Sequence, residues 1–467
     1  MAESDLLARL SKSVLDLDAR KLPPDIIQQT KLIILDSIGC ALTTLDEHEV
    51  VEACEAIETT GGAPQATIIG FKGKTSVTNA TLANGILVRY LDLNDFTLGV
   101  GKSGAVSIGG HPSDNIPVAL AVGEWRGSSG LDVIASVIIG YDVFERMRIL
   151  FDNKGQWDGT SVSGTVAAVM TGRLMGFDVD RMRHAIALAA MRSLTPRLVR
   201  RGHITAAKFL SNPLIAQTGV ASTLLAGGGM TGPQAIFESK DGLRVLFSEN
   251  ADFNLLTTPV VSPYAVSLSH IKAFPCLATG QAEVAAAMEM HKILGGRTDH
   301  IESFNVIMAD YPMVHDQQQE VARRYPDSRE AADHSFYFLP AVTLIDGTLS
   351  MRAYDNARWT DPQVTALMAK ATMSVDAAWN TKAPYGYPCA LEVTLKDGTK
   401  HRTECAYAPG HSKGALDENA VVEKFERLTR DVLPDADRQK VRDLALGLDK
   451  LANISPLMDL LADRRRH

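Results

Sequence analysis

A chain of 467 residues, 45% hydrophobic and 22% charged, has the composition of an ordinary globular protein and is long enough for two domains. Its net charge of −8 argues against nucleic acid or an anionic membrane surface as a partner, and no apolar run is long enough to span a bilayer. Five scattered cysteines, Cys40, Cys54, Cys276, Cys389 and Cys405, form no C-x-x-C pair; they read as reduced, buried thiols of a cytoplasmic protein, not as a zinc site.

The opening MAESDLLARLSKSVLDL is a charged amphipathic helix without the apolar core of a signal peptide. DIIQQTKLIILDSIGCALTT places apolar residues at helical spacing behind Pro23-Pro24, with Asp25 as its cap. VTNATLANGILVRYLDL, IPVALAVGEWRG, GLDVIASVIIGYDVFERMRIL, GTVAAVMTGRLMGF, RMRHAIALAAM and LIAQTGVASTLLAGGG continue the pattern. Small residues dominate these runs and permit closely packed, buried helices, and glycine after several of them fits a helix end. Residues 1 to about 265 therefore read as almost wholly helical.

Near Ser269 the texture changes. FPCLATGQAEVAAAMEMHKIL is a helix, but HIESFNVIMA, ATMSVDA and CALEVTLKDGTKHRTECAYA show alternation and β-branched residues, with Asp-Gly as a hairpin turn. NAVVEKFERLTRDVL, ADRQKVRDLALGLDKL and ISPLMDLLADR return to amphipathic helices. The expected architecture is mainly α: a large helical domain over 1–268, a smaller α+β lid over 269–405, and a segment over 406–467 that packs back onto the helical domain.

Several tempting motifs fail on spacing. GVGKSG would need glycine where Phe96 stands to be a Walker A, so it reads as an active-site loop. GTSVSGT near Ser161 opens a helix and lacks the spacing of a nucleophile elbow. No G-x-G-x-x-G follows a strand, and no metal-ligand spacing occurs, so no cofactor or metal is expected.

Two stretches carry chemistry. In RYLDLNDF, Asp92 and Asp95 gather where a helix end disfavours anions; they read either as caps or as a pair whose pKa values are pushed apart. His111, in GGHPSDN, is either a loop-fixing hydrogen bonder or an acid/base. In RSLTPRLVRRGHITAAKFLSNP, Arg197, Arg200 and Arg201 suit carboxylate recognition. Lys208 follows at an apolar helix start, where lost hydration and the helix dipole favour its neutral form, unless it snorkels outward. Asp158 reads as a helix N-cap, Tyr141 as a core tyrosine or an acid, and ADHSF offers Asp333 and His334.

At these residues the chain resembles the MmgE/PrpD family, which includes 2-methylcitrate dehydratase and cis-aconitate decarboxylase. LDSIGCAL, RYLDLND, HPSDN, GQWDGT, GRLMGF, Lys208, GGGMTGP, IKAFPC, ADHSFYFLPAVTLIDG and GHSKGALDENAVVEKF follow one another as in the family, over nearly the whole chain. The resemblance implies a helical domain with an α+β lid, a homodimer, no metal or organic cofactor, and a site in the cleft between domains. It assigns site positions to Asp92, His111 and Lys208, and Gln281 fits the dehydratase-like branch. Four positions depart from it: Asp158 replaces the decarboxylase's histidine, Leu277 follows FPC, Phe338 stands where tyrosine is expected beside Tyr337, and Ala207 replaces a tryptophan.

The resulting expectation is a cofactor-independent enzyme that abstracts a proton α to a carboxylate of a di-, tri- or tetracarboxylate. Lys208, His111, Asp92 and Tyr141 are the catalytic candidates; Arg89, Asp95, Asp158, Arg197, Arg200, Arg201, Gln281 and His334 are the substrate-binding ones. Because Leu277 and Phe338 lack groups that would assist a leaving hydroxyl, an epimerase of an iminodisuccinate-type substrate is favoured. A dehydratase- or decarboxylase-like lyase comes second and a non-catalytic binding protein third.

Overall fold

The computed structural model describes residues 5–100, 106–107, 109–151, 156–381, 386–410 and 416–465. The loop expected at GVGKSG falls from Gly101 onward outside the described residues. Helix α1 (Pro24–Leu42) begins with Pro24 in its first turn, where a missing N–H costs nothing; Asp25 sits in that turn and does not cap it. Every residue from Lys31 to Leu42 is buried, so the helix runs through the interior and needs small residues on its flanks. Helix α2 (Val77–Arg89) is capped by Ser76, whose hydroxyl accepts from the Asn79 N–H, and α3 (Gly130–Leu150) by Ser129 in the same way. Helices α4 (Ser163–Leu174) and α5 (Ala207–Gly227) complete the inner layer.

The helical reading of this part misses three two-residue ladders, Ala66–Thr67 with Lys74–Thr75, Phe96–Thr97 with Ser269–His270, and Gly99–Val100 with Val106–Ser107. Such short pairings have no periodicity for a sequence to display. The middle one joins the loop after α2 to the first residues of the α+β part, 172 residues or more downstream (269 − 97).

In the α+β part, α6 (Gln281–Leu294) packs on a four-stranded sheet of β1 (Ile301–Met308), β2 (Ala371–Val375), β3 (Cys389–Leu395) and β4 (Lys400–Cys405), and α7 (Phe338–Asp346) packs on α6. The order is β4-β3-β1-β2, with β1 and β2 parallel and the other pairs antiparallel. The hairpin between β3 and β4 turns at Asp397-Gly398, as its sequence dictates. Phe304, Phe336, Phe338, Met290 and Leu391 belong to a core of this part alone.

Helix α8 (Glu418–Thr429) and the helices after it share the other core: Phe425, Leu448 and Leu461 belong to the same apolar cluster as Ile33 and Ile38. On α8, Lys424 pairs with Asp36 of α1 at 2.6 Å and donates to the Leu93 carbonyl at 2.8 Å. The fold is mainly α, with the strands confined to the sheet and the short ladders. The cysteines are all unpaired, and among the described residues no helix is long and apolar enough to cross a membrane.

The C-terminal segment meets α3 so closely that a Cβ at Gly130 would lie 1.8 Å from the Leu448 carbonyl oxygen. Gly130→Ala should therefore lower stability by about 1–3 kcal/mol in chemical denaturation, the range for overpacking a tight contact. An unchanged midpoint would mean the two segments do not meet as described.

Candidate active site

A cleft of about 810 Å³ lies between the two cores, with Arg89, Asp92 and His111 on its helical wall and Tyr311, Gln317 and His334 on the α+β wall. After α2 the chain turns sharply, and Asp92 takes a φ of 49°, in the left-handed region that a side chain disfavours. Basic groups from distant parts of the chain pin the carbonyls of this turn. Arg329 donates to Tyr90 at 3.0 Å, Lys272 to Asp92 at 2.7 Å and Lys424 to Leu93 at 2.8 Å, and His111 Nδ1 meets the Asp95 carbonyl at 2.7 Å. A helix end presents unpaired carbonyls and partial negative charge, so cations are the fitting partners there.

The Asp92 carboxylate is held by three cations: Arg89 at 2.6 Å, Lys208 at 3.2 Å, and Lys272 in a closer contact still. Burial works to raise its pKa, but Arg89, Lys272 and Lys208 outweigh burial and keep the carboxyl well below its ordinary 3.8. The unfavourable helix-end charge read from sequence is thus compensated. His111 Nε2 lies 3.7 Å from Asp92, on the cleft. Burial first, then the charges of Arg89 and Lys272, push the imidazole well below 6.5, so it is neutral at physiological pH. Because the Asp95 carbonyl can only accept, Nδ1 must carry the proton, and Nε2 is left with a lone pair.

Lys208 departs from its expected apolar setting. Its ammonium lies 3.0 and 3.1 Å from the Asp333 oxygens, 3.0 Å from His334 Nδ1 and 3.2 Å from Asp92. Asp92, Asp333 and His334 are the one described group whose ligand atoms cluster tightly enough to hold a metal ion, within 4.8 Å of one another. Lys208 touches all three and holds the cation's place. Burial, and then Lys208, lower His334 to about 4, whereas at Asp333 Lys208 and His334 overcome burial and lower the carboxyl.

Asp95 and Tyr141 form a separate buried pair, Tyr141 donating at 2.9 Å, and neither lines the cleft. Burial raises Asp95 to about 6, and burial with the Asp95 charge raises Tyr141 well above 10. The two acids do diverge, Asp92 downward and Asp95 upward, through cations in one case and burial in the other. Their mutual repulsion is not the cause.

The arginine cluster reaches the cleft. Arg200 pairs with Asp158 at 2.6 Å, and Arg201 crosses to Asp316 and Glu320 at 2.9 and 2.7 Å. Asp158 caps the turn that follows by accepting from Thr160, and Arg200 overcomes burial to lower its pKa. Gln281 stands apart: its amide accepts from Ala273 and Phe274 N–H and donates to the Phe274 carbonyl, stapling that loop outside the cleft. It thus lacks the access to the cleft that a substrate-binding residue requires. Six arginines against five aspartates line the cavity, so its net charge is close to balanced, and anion recognition depends on which cations lack an anion.

Sequence reading passed over Lys272 and Tyr311. Lys272 stands in IKAFPC as a lysine among apolar residues, the same signal that drew attention to Lys208. Tyr311 carries no comparable signal, yet its hydroxyl is buried on the cleft wall without a partner among the described residues.

Comparison with known proteins matches residues 8–256 to the MmgE/PrpD N-terminal domain and residues 274–450 to the MmgE/PrpD C-terminal domain. Cis-aconitate decarboxylase of Mus musculus is 25% identical, over 94% of this chain and 89% of its own. A mitochondrial 2-methylcitrate dehydratase of Yarrowia lipolytica is also 25% identical, over 89% of this chain and 82% of its own. 2-Methylcitrate dehydratase of Salmonella typhimurium is 22% identical, over 90% and 89%. Dehydratases and decarboxylases are lyases, and this overturns the expected epimerase. The structure shows where that expectation went astray. Phe338 is fully buried in the core of the α+β part, near Tyr354, and does not line the cleft, while Leu277 lines it together with polar residues such as Thr279, Tyr311 and Gln317.

The neutral state of His111 is open to direct test. With imidazole nitrogens labelled, its NMR signals should keep the neutral Nδ1–H pattern at pH 6, below the ordinary midpoint of 6.5. A midpoint at or above 6.5 would contradict the geometry described.

Proposed function

The chain belongs to the MmgE/PrpD family, and from that premise we propose that it is a carbon–oxygen lyase removing water from a hydroxylated polycarboxylate of the 2-methylcitrate type. The observation that carries this reading is a proton acceptor and a proton donor on opposite walls of one cleft. His111 presents the bare Nε2, and Tyr311 presents a phenol with no partner among the described residues, which burial and then Tyr387 hold well above its ordinary 10 and so protonated.

In this reading His111 Nε2 takes the proton from the carbon beside a carboxylate. The electron pair forms the new carbon–carbon double bond, and the hydroxyl on the neighbouring carbon departs with the Tyr311 proton as water. Both groups regain their protonation states by exchange with solvent. Negative charge grows on the carboxylate next to the reacting carbon, and the cations around Asp92 stabilise it. The arginine wall holds the other carboxylates, for which the planar guanidinium fork is suited. A homodimer, by resemblance alone, and a cytoplasmic location, from the unpaired cysteines, belong to the same proposal; a monomeric mass in light scattering would remove the dimer from it.

Decarboxylation is the second reading, favoured by the mouse relative's similarity across 94% of this chain. It ranks lower because Asp158, where the resemblance expects the decarboxylase's histidine, is bound to Arg200 as a carboxylate and has no proton to return to carbon.

Incubation with 2-methylcitrate and, separately, with cis-aconitate distinguishes the readings. An alkene from the first supports the hydro-lyase, carbon dioxide from the second alone moves the assignment to decarboxylation, and inertness toward both ends the lyase reading. For the hydro-lyase, Tyr311→Phe should reduce kcat by about 100-fold or more with KM little changed, the range for losing a general acid. An unaltered kcat would take Tyr311 out of the mechanism.

A further inference from the structure

We propose that Arg148 is the receptor for a substrate carboxylate remote from the reacting carbon, seated in the space left by the missing side chain of Gly159. Arg148 lies in the last turn of α3, is only 9% exposed and lines the cleft. Its Nε and Nη2 reach one carbonyl, that of Gly109, at 3.4 Å each, and among the described residues its Nη1 has no partner. A buried guanidinium left this way is costly unless an anion completes it.

Arg146, two residues earlier on the same helix, shows what a structural arginine looks like. It is also buried, but Asp142 at 2.8 Å and the carbonyls of Leu256 and Pro259 occupy its nitrogens. Arg89, Arg200, Arg201 and Arg323 also line the cleft, and each already holds a carboxylate. The carboxylates of Asp158 and Glu145 support the Arg148 charge and the charges of Arg200 and Arg197 oppose it, so three cations share two anions, and Asp158 is itself bound by Arg200 and Thr160. One further anion would balance this wall.

Gly159 makes the room. A Cβ there would fall 2.2 Å from Arg148 Nη1 and 2.7 Å from the guanidinium carbon, so any larger residue would displace the fork. A carboxylate fits the unfilled donors as a planar, bidentate acceptor. The site does not depend on the lyase reading; the identity of its ligand as part of a polycarboxylate does.

Calorimetry with tricarballylate, an unreactive tricarboxylate, and methylsuccinate, which lacks one terminal carboxyl, tests the proposal on the full-length protein. The wild type should prefer tricarballylate. Arg148→Met should weaken tricarballylate binding by roughly 10- to 100-fold, the range for a charged hydrogen-bonded contact, and bring it down to the methylsuccinate level. Gly159→Ala keeps the positive charge but displaces its fork; it should narrow the same preference, and it serves if Arg148→Met fails to fold. Undiminished preference in a folded variant, or no preference in the wild type, overturns the assignment. Tricarballylate binding that depends on Arg148, with no turnover of 2-methylcitrate or cis-aconitate, would end the lyase reading and leave this one standing.

Discussion

The site is organised around one carboxylate, Asp92, held in a left-handed turn by Arg89, Lys208 and Lys272. A strained backbone and a buried anion are each unfavourable alone, and they persist here because the surrounding cations overdetermine both. Lys272 binds the Asp92 carbonyl as well as its carboxylate, so the same side chain fixes the turn and the charge. Arg329, Lys272 and Lys424 come from sequence far beyond the turn they pin, two from the α+β part and one from α8. The turn therefore reaches its final form only when both cores are assembled around it.

The same arrangement sets the chemistry of its neighbours. Burial first, and then the cations drawn in to neutralise Asp92, keep a proton off His111, which is why a histidine 3.7 Å from a carboxylate stays neutral. Its lone pair is aimed by the backbone carbonyl of Asp95, and the Asp95 side chain is occupied elsewhere with Tyr141. Lys208 is the hub between Asp92 on one wall and Asp333 and His334 on the other, so any relative shift of the walls would disturb the charge balance of the site. With arginines and aspartates nearly matched across the cleft, anion recognition falls to the few donors that have no internal partner.

Much of this was readable before any fold was known. Helical spacing located α1 to α5 and α8, the Asp-Gly turn located the β3–β4 hairpin, and the alternation that appears after Ser269 located the four-stranded sheet. Asp92, His111, Lys208 and the arginine cluster were found because unusual residue types stood in otherwise apolar or acidic surroundings, and the structure brings them to one cleft or, for Lys208, directly beneath it. Gln281 and Tyr141 looked equally suggestive, yet neither lines the cleft. Phe338 misled in a different way, because a missing hydroxyl matters only on a side chain that faces the substrate.

By itself the sequence determined the periodicities, the helix caps and turns, and the inventory of charged groups, all of which depend on residues a few positions apart. Tertiary structure alone decided which charges meet, which imidazole stays neutral, and which buried donors, such as Arg148 Nη1 and the Tyr311 hydroxyl, are left unfilled. The physical reason is range. Backbone propensity and hydrophobic spacing act locally, whereas desolvation and ion pairing depend on side chains as far apart in sequence as Asp92 and Lys272.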